Sequence, residues 1–357
     1  MKDGDCIWCN PVLYLQVSEG GKGTTVGGSI TESLEPSNHV APAPRLAEGA
    51  ELIGEYQDSG FKEPGYLVRR IDGQVIQLSR LLYLVAAEAD GHKDFDRIAL
   101  EVGTKFGRTV SADNVRFLVE ERLRPLGVLA PTNGANLKLK RARPTLALRF
   151  RVPIFSERAA QAISAVLWPL FLPPIVIAMF AGFVALDFWL FFIHGLNQSV
   201  GEAFSRPEFI ATTFLITMFV GFFHEFGHAA AARYGGAKPG RIGMGIYLVW
   251  PVYYSDVTDT YRLDRISRLR VDLGGIYFDL LYCLALAGAY FYTEYEPLLL
   301  VILLLQFEIL EQFVPWIRFD GYYVISDLVG VPDLFPHIKP ILKSVIPDEG
   351  RASAYES

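Results

Sequence analysis

The stretch His224-Glu225-Phe226-Gly227-His228 follows an apolar run that extends from Phe209 to Phe223. It has the pattern H-E-x-x-H, which binds zinc when it lies on a helix. Residues four apart lie on nearly the same face of a helix, one turn along, so both imidazoles can reach one metal ion. The pattern therefore predicts that His224 and His228 are ligands of a single zinc ion.

Glu225 stands next to this pair in the sequence but is turned away from the ligand face. A catalytic zinc site keeps one position open for a water molecule, and the metal lowers the pKa of that water. A neighbouring carboxylate can then take the proton. We predict Glu225 as the general base and zinc-bound water as the nucleophile. The alternative, two helix histidines with ordinary partners, is disfavoured because ionisable groups at the end of an apolar run are costly.

Composition separates this chain from several classes of protein. It has 357 residues, 51% of them hydrophobic, and a formal net charge of −6. The acidic balance gives no general attraction to nucleic acid. Cys6, Cys9 and Cys283 cannot form a disulfide framework, and the Cys6–Cys9 pair has no second pair nearby, so we assign it no role. The opening residues lack a basic segment followed by an apolar core, so we expect no cleavable signal peptide.

Four apolar segments are each long enough to cross a bilayer. They lie at about 162–186, 209–232, 271–292 and 297–317. Pro169, Pro173 and Pro174 predict a kink or break near the start of the first segment. Basic residues cluster in 138–158 and in 233–270, whereas the other two loops have almost none. By the positive-inside rule both termini lie in the cytoplasm, which predicts a multi-pass protein of the cell inner (cytoplasmic) membrane.

A third zinc ligand is expected, because catalytic zinc sites usually have three protein ligands. The second and fourth spans would both run from outside to inside. Their cytoplasmic ends carry the histidine pair and Asp320, at similar depth. Gly321 would let the backbone turn so that the carboxylate faces the metal. We predict Asp320 as the third ligand.

The region before the spans divides into segments. Residues 1–60 are rich in Gly, Ser, Pro and Glu, which predicts a disordered arm. Residues 61–130 predict a small cytosolic α/β domain with a hairpin turn at Asp72-Gly73 and three helices, in a winged-helix-like outline. A near-neutral charge balance weakens DNA binding as its role. Residues 131–160 are a basic linker, 161–335 the membrane-embedded domain, and 336–357 a cytosolic tail.

Several motifs together carry a family resemblance. They are the histidine motif at the end of a span, Pro251-Val-Tyr-Tyr-Ser-Asp256 in a Gly-rich loop, and Phe319-Asp320-Gly-Tyr-Tyr323. Over about residues 160–335 the chain resembles the site-2 protease family of intramembrane zinc metallopeptidases. In particular it resembles the peptide zinc metalloprotease branch, found beside genes for ribosomally made modified peptides. The resemblance implies one zinc ion per chain held by His224, His228 and Asp320, with Glu225 as the base.

The chain departs from this family at one place. Many members have Asn-Pro before the Asp-Gly element, where this chain has Val314-Pro315. The Asn is thought of as a partner of the substrate backbone or of the oxyanion, so that role is unassigned here. The 61–130 domain loosely resembles winged-helix domains in which a leader peptide adds a strand to the hairpin. The alternative is a domain with a structural or regulatory role.

The extended segment 241–254 and the intramembrane acids each allow two interpretations. Residues 241–254 predict an extended segment or hairpin, whose unpaired strand could hold a substrate by backbone hydrogen bonds, or else a packed connector. The intramembrane acids could line a water-admitting path or pair as structural contacts, and none is predicted as a ligand; they are Asp272, Asp279, Glu308 and Glu311. We expect His39, His194 and His337 to be solvated.

The sequence as a whole predicts a mainly α polytopic membrane protein with about four transmembrane helices and a small winged-helix-like cytosolic domain. Its predicted function is that of an intramembrane zinc metalloendopeptidase that cleaves a membrane-associated or modified-peptide precursor. One alternative is a regulatory site-2-type protease that releases a membrane-tethered transcription regulator. The other is a non-catalytic metal-binding membrane receptor or transporter. The expected partners are a peptide or membrane-protein substrate, a leader peptide and the lipid bilayer, and no nucleic acid.

Overall fold

The structure, a computed structural model, describes residues 43–132, 149–195, 197–205, 208–247, 250–314, 319–331 and 334. These residues divide into two compact units. The N-terminal unit contains residues 43–55 and 64–132. The membrane unit contains Tyr56–Glu63 and the described residues from 149 onward. Predictions for Cys6, Cys9, His39, His337 and the 336–357 tail lie outside the described residues.

The N-terminal unit pairs a three-stranded antiparallel sheet with three helices. The strands, in sheet order, are β1 (Glu51–Glu55), β2 (Tyr66–Arg69) and β3 (Val75–Leu78). The helices are α1 (Arg80–Glu88), α2 (Phe95–Phe106) and α3 (Ala112–Leu118), the last extended by a π turn over Val119–Leu123. The side chains of Ser79, Asp94 and Ser111 cap them by accepting backbone N–H groups of the first turn.

The predicted hairpin and helices of this unit are present. Arg69 pairs with Val75 across the Asp72-Gly73 turn, where Gly73 has a φ of 84°. The predicted disordered arm is wrong for residues 51–55, which form β1 and pair with β2 through a bulge between Leu52 and Gly54. Backbone pairing with a distant segment orders these residues despite their loop-like composition. The winged-helix topology stays a prediction.

The membrane unit is mainly helical with one small sheet. Its strands are β4 (Arg149–Phe155), β5 (Ile242–Tyr247) and β6 (Trp250–Ser255), antiparallel in that order. Its helices are α4 (Glu157–Leu167), α5 (Pro173–Trp189), α6 (Asn197–Ser205), α7 (Glu208–Tyr234), α8 (Arg265–Asp272), α9 (Gly274–Thr293), α10 (Pro297–Gln312) and α11 (Asp320–Val329). The predicted 241–254 hairpin is therefore present, and β4 falls within the predicted basic linker.

In the described part of the chain, three helices are long and apolar enough to cross a membrane: Pro173–His194, Glu208–Tyr234 and Gly274–Thr293. The predicted break in the first span is present, because a 3-10 turn over Trp168–Phe171 separates α4 from α5. The span begins at Pro173, so the predicted start at residue 162 is wrong. Helix α10 has 16 residues, fewer than the ~20 that a span needs, and the four-span count stays a prediction.

Helices α7 and α9 cross closely at glycines. A Cβ atom added to Gly227 would lie 2.2 Å from the carbonyl oxygen of Gly274, a distance too short for any side chain. Small residues let helix backbones approach in this way within a membrane. The crossing brings the histidine turn of α7 against the start of α9.

A buried ion pair joins α8 to α11. The Arg268 Nε atom donates to Asp327 Oδ1 at 2.8 Å, and the Tyr56 hydroxyl donates to the same oxygen at 2.6 Å. The Arg268 guanidinium also lies 4.1 Å from the centre of the Tyr56 ring. Asp327 lies in the helix that begins at Asp320, so these contacts fix the helix that carries the predicted third ligand.

Candidate metal centre

The two motif histidines approach each other on one face of α7. Their Nε2 atoms are 3.1 Å apart, as expected for residues one helical turn apart. His228 is 1% exposed and lies deeper than His224. The helix forms here because the long apolar run continues through Ala229–Ala232 without Pro, and these alanines are fully buried.

Asp320 reaches this pair from a distant part of the chain. It is the first residue of α11, and its Oδ2 atom lies 3.0 Å from His224 Nε2 and 3.4 Å from His228 Nε2. Burial alone raises the pKa of Asp320, but the adjacent His228 and His224 rings outweigh burial and lower it to about 2. The carboxyl group is therefore ionised at neutral pH, as a metal ligand must be.

The three donor atoms fit a zinc ion. Bonds of ~2.0–2.1 Å at tetrahedral angles separate neighbouring ligand atoms by about 3.3 Å. The three separations here are 3.0, 3.1 and 3.4 Å. Among the described residues, Asp320 Oδ2 is buried without a hydrogen-bond partner of good geometry. A buried, ionised oxygen without such a partner, beside two imidazole nitrogens, suits a cation.

Partners on α8 and α9 orient the histidine rings. His224 Nδ1 lies 2.8 Å from Asp279 Oδ2, and His228 Nδ1 lies 2.7 Å from the carbonyl oxygen of Val271. In the tautomer in which each Nδ1–H group donates to its acceptor, Nε2 is the nitrogen available to a metal. Gly275 makes room for the first ring, because a Cβ there would lie 2.3 Å from His224 Nε2.

Glu225 lines a cavity of about 470 Å³ together with His224 and Asp320. It is 5% exposed, and among the described residues its Oε2 atom has no hydrogen-bond partner. Ser255, at the end of β6, also interacts with its side chain. Pro251, Val252 and Tyr253 of β6 also line this cavity. A carboxylate with one open oxygen in a cavity can accept a proton from a reacting water.

The structure brings the three predicted ligands together, and it gives other residues contacts that the sequence did not predict. The sequence allowed two roles for Asp279, either lining a water-admitting path or forming a structural contact. In the structure Asp279 accepts a hydrogen bond from His224 Nδ1. The sequence predicted a backbone turn at Gly321, whereas this residue lies within α11 and has no positive φ. Its lack of a side chain instead serves close packing, because a Cβ there would lie 2.5 Å from the Cα atom of Phe313.

The prediction that His194 is solvated in an outer loop is also wrong. His194 ends the helical segment that begins at Pro173, and its Nε2 atom lies 2.9 Å from the Tyr290 hydroxyl and 3.2 Å from Glu296 Oε1. Glu296 in turn accepts from the Ser199 hydroxyl at 2.7 Å. His194 follows α5, Ser199 lies in α6, Tyr290 in α9 and Glu296 just before α10, so the cluster ties these helix ends together.

Comparison with known proteins gives one distant relative. No family model and no solved structure matches the chain. The chain is 26% identical over 163 residues to the “Putative peptide zinc metalloprotease protein YydH” of Bacillus subtilis (strain 168). The match covers 43% of this chain and 63% of that protein, so the chain spans less than two thirds of the relative's length. The relative's name and the His224–His228–Asp320 cluster both support a zinc metalloprotease.

Proposed function

We propose that this protein is an intramembrane zinc metalloendopeptidase of the site-2 type, with both termini in the cytoplasm. Its substrate is a membrane-associated peptide, in the first place the precursor of a modified peptide. The observation that carries the proposal is the convergence of three donor atoms, all within 4.8 Å of one another, from two helices separated along the chain. Glu225 lines the same cavity as His224 and Asp320.

The chemistry is amide hydrolysis. His224, His228 and Asp320 would hold a zinc ion, which supplies a Lewis acid and lowers the pKa of water at the site. Glu225 takes a proton from the attacking water and donates it to the leaving amine. Its burial and its open Oε2 atom support this role. Asp279 and the carbonyl group of Val271 hold the two rings in place.

Strand β6 offers a means to bind the substrate in extended form. In the described residues it lies at the edge of its sheet, paired with β5 on one side. Val252 and Tyr253 of this strand lie in the wall of the same cavity as His224 and Glu225. A peptide that adds to this edge would present its backbone to the site, as proteolysis requires, since a helix keeps its carbonyl groups bonded.

The N-terminal unit is proposed to bind the leader part of a precursor. Its sheet has β1 and β3 at its edges, and an extended peptide can add a strand to such an edge. This role rests on the sheet order alone.

Two substitutions test the proposed function. Glu225→Gln keeps the size of the side chain but removes the base, so we expect about one zinc per chain and no cleavage. Asp320→Ala removes a ligand, so we expect zinc to fall toward none. Zinc is measured by mass spectrometry of the purified protein, and cleavage by mass spectrometry of peptides incubated with it in nanodiscs.

Other outcomes point to different functions. Wild-type cleavage by Glu225→Gln would remove the base assignment. Metal transport into vesicles that survives Glu225→Gln would indicate a transporter instead. Full zinc content in Asp320→Ala would contradict the ligand set.

A further inference from the structure

The cavity that holds the metal centre has a second group of carboxylates. Asp279, Glu308 and Glu311 line it beyond Glu225 and Asp320. Glu308 and Glu311 lie three residues apart in the last turns of α10, which places both on the cavity side of that helix. All three carboxylates line this one cavity, so we call them its acidic wall.

One of these carboxylates, Asp279, is buried and has an oxygen atom that makes no hydrogen bond to the described residues. Asp279 is 3% exposed, and its Oδ2 atom accepts from His224 Nδ1 and, at 3.2 Å, from Gln312 Nε2. Among the described residues, its Oδ1 atom has no hydrogen-bond partner. A buried charged oxygen without a partner is unfavourable by itself, and a bound donor would remove the penalty.

The chain supplies no basic side chain to this wall within the part that the structure describes. Neither Lys nor Arg is among the described residues that line the cavity. A zinc ion would offset the charges of Glu225 and Asp320 at the metal centre. The remaining three carboxylates would still face an otherwise apolar cavity, lined by residues such as Leu305 and Phe319.

We propose that the acidic wall of Asp279, Glu308 and Glu311 is a specificity pocket for a cationic side chain, Arg or Lys, close to the scissile bond of a peptide substrate. This inference rests on the proposed peptidase function and adds the class of substrate. An aliphatic stem of Arg or Lys suits the apolar walls, while its charged end meets the carboxylates. Arg fits best, because its planar group can bond two carboxylate oxygens at once.

The first experiment maps cleavage preference. The full chain in nanodiscs, loaded with zinc, is incubated with a randomised decapeptide mixture, and the products are sequenced by mass spectrometry. We expect enrichment of Arg and Lys at one position within two residues of the cut. Peptide pairs that differ only in Arg or citrulline at that position should then differ in kcat/KM by about tenfold or more, since a hydrogen bond to a charged group contributes about 1.5–3 kcal/mol.

Variants identify the wall as the origin of this preference. In the double variant Glu308→Gln/Glu311→Gln, the Arg-to-citrulline ratio of kcat/KM should fall toward one. In Glu308→Lys/Glu311→Lys, the preference should change to Asp or Glu. The matched control is Glu294→Gln, which removes an exposed acid of the same unit that is not part of the cavity wall, and it should leave the ratio as in the wild type. No cationic enrichment, or the wild-type ratio in the double variant, would overturn the proposal.

A binding measurement separates this proposal from the proposed function. A fluorescein-labelled apolar decapeptide with one central Arg, and its citrulline counterpart, are titrated with the wild-type protein and the double variant by anisotropy. Tighter binding of the Arg peptide to the wild type alone supports the pocket even if no peptide is cleaved. Equal binding of both peptides to the wild type counts against the pocket and leaves the peptidase assignment intact.

Discussion

The Nδ1 atom of His224 lies 2.8 Å from the Oδ2 atom of Asp279, which belongs to a different membrane helix. This contact joins α7 and α9 at the metal centre. It also fixes the ring so that Nε2 faces Asp320. The centre therefore depends on the packing of three helices, α7, α9 and α11, although only α7 carries the H-E-x-x-H motif.

The first prediction concerns this contact. Asp279→Asn should weaken zinc binding by about 10–100-fold, because the ring loses the carboxylate that orients it and raises its basicity. Zinc affinity is measured by competition with a chromophoric chelator. The control is Asp187→Asn, since Asp187 bonds Gln306 in the same unit without contacting the histidines. Equal zinc affinity in Asp279→Asn and the wild type would show that the contact does not support the metal.

The second prediction concerns the α7–α9 crossing. Gly227→Ala places a methyl group 2.2 Å from the Gly274 carbonyl oxygen, so the helices must separate. Overpacking of this kind typically costs about 1–3 kcal/mol, and we expect a lower unfolding midpoint together with weaker zinc binding. Gly288→Ala in α9 is the control, because a Cβ there has no neighbour within 4 Å. A Gly227→Ala protein as stable as this control would refute the close crossing.

The third prediction concerns the ion pair between α8 and α11. Asp327→Asn leaves Arg268 as a buried charge without its ionised partner, which should cost about 3–5 kcal/mol in the free energy of unfolding. Arg262→Gln is the control, because the Arg262 side chain is 43% exposed in its pair with Asp259, and such a pair contributes about 1 kcal/mol or less. Both are measured by denaturant unfolding in mild detergent. Similar losses in the two variants would mean that the buried pair contributes no more to the free energy of unfolding than the exposed pair does.

The fourth prediction is a pH dependence in the N-terminal unit. Hydrogen bonds with Lys93, 2.7 Å away, and with Glu88 lower the pKa of Glu101 from 4.5 to about 2. A carboxyl group with a lowered pKa stabilises the fold above pH 4.5 and loses that contribution as the pH falls toward 2. The protection factors of the α2 amides, which are corrected for the intrinsic exchange rate at each pH, should therefore fall across this range in the wild type.

Because other acids titrate in the same range, the comparison with Glu101→Gln is decisive. This variant lacks the titrating group, so the difference in exchange between it and the wild type should shrink as the pH falls through the range. A difference that stays constant would contradict the role of the Lys93 contacts.

The sequence predicted those parts of the structure that depend on local spacing. His224 and His228 face one another because four residues make about one helical turn, and the Asp72-Gly73 hairpin follows from turn chemistry. Asp320 was reached through a depth argument, since the direction of the spans follows from charge in the loops. The structure brings it to the histidines.

Other features depend on contacts between distant segments, which spacing does not show. Asp279 and Gly275 serve His224 only because α9 crosses α7. Strand β1 forms only because β2 supplies its hydrogen-bond partners. The first span was placed too early because hydropathy alone does not reveal that α4 ends before Pro169 and a new helix begins at Pro173.

The packing at the start of α11 bears on how the candidate metal centre would respond to loss of the proposed ion. Gly321 packs against backbone atoms of Phe313 and Gln312, and Tyr322 is 1% exposed with its hydroxyl bonded to the N–H group of Leu334. These contacts hold Asp320 in position by themselves. Unlike a zinc finger, in which metal binding and folding are one event, the ligand frame is preorganised. Removal of the proposed zinc ion by a chelator should therefore be reversible, and re-addition of the ion should restore cleavage without a refolding step.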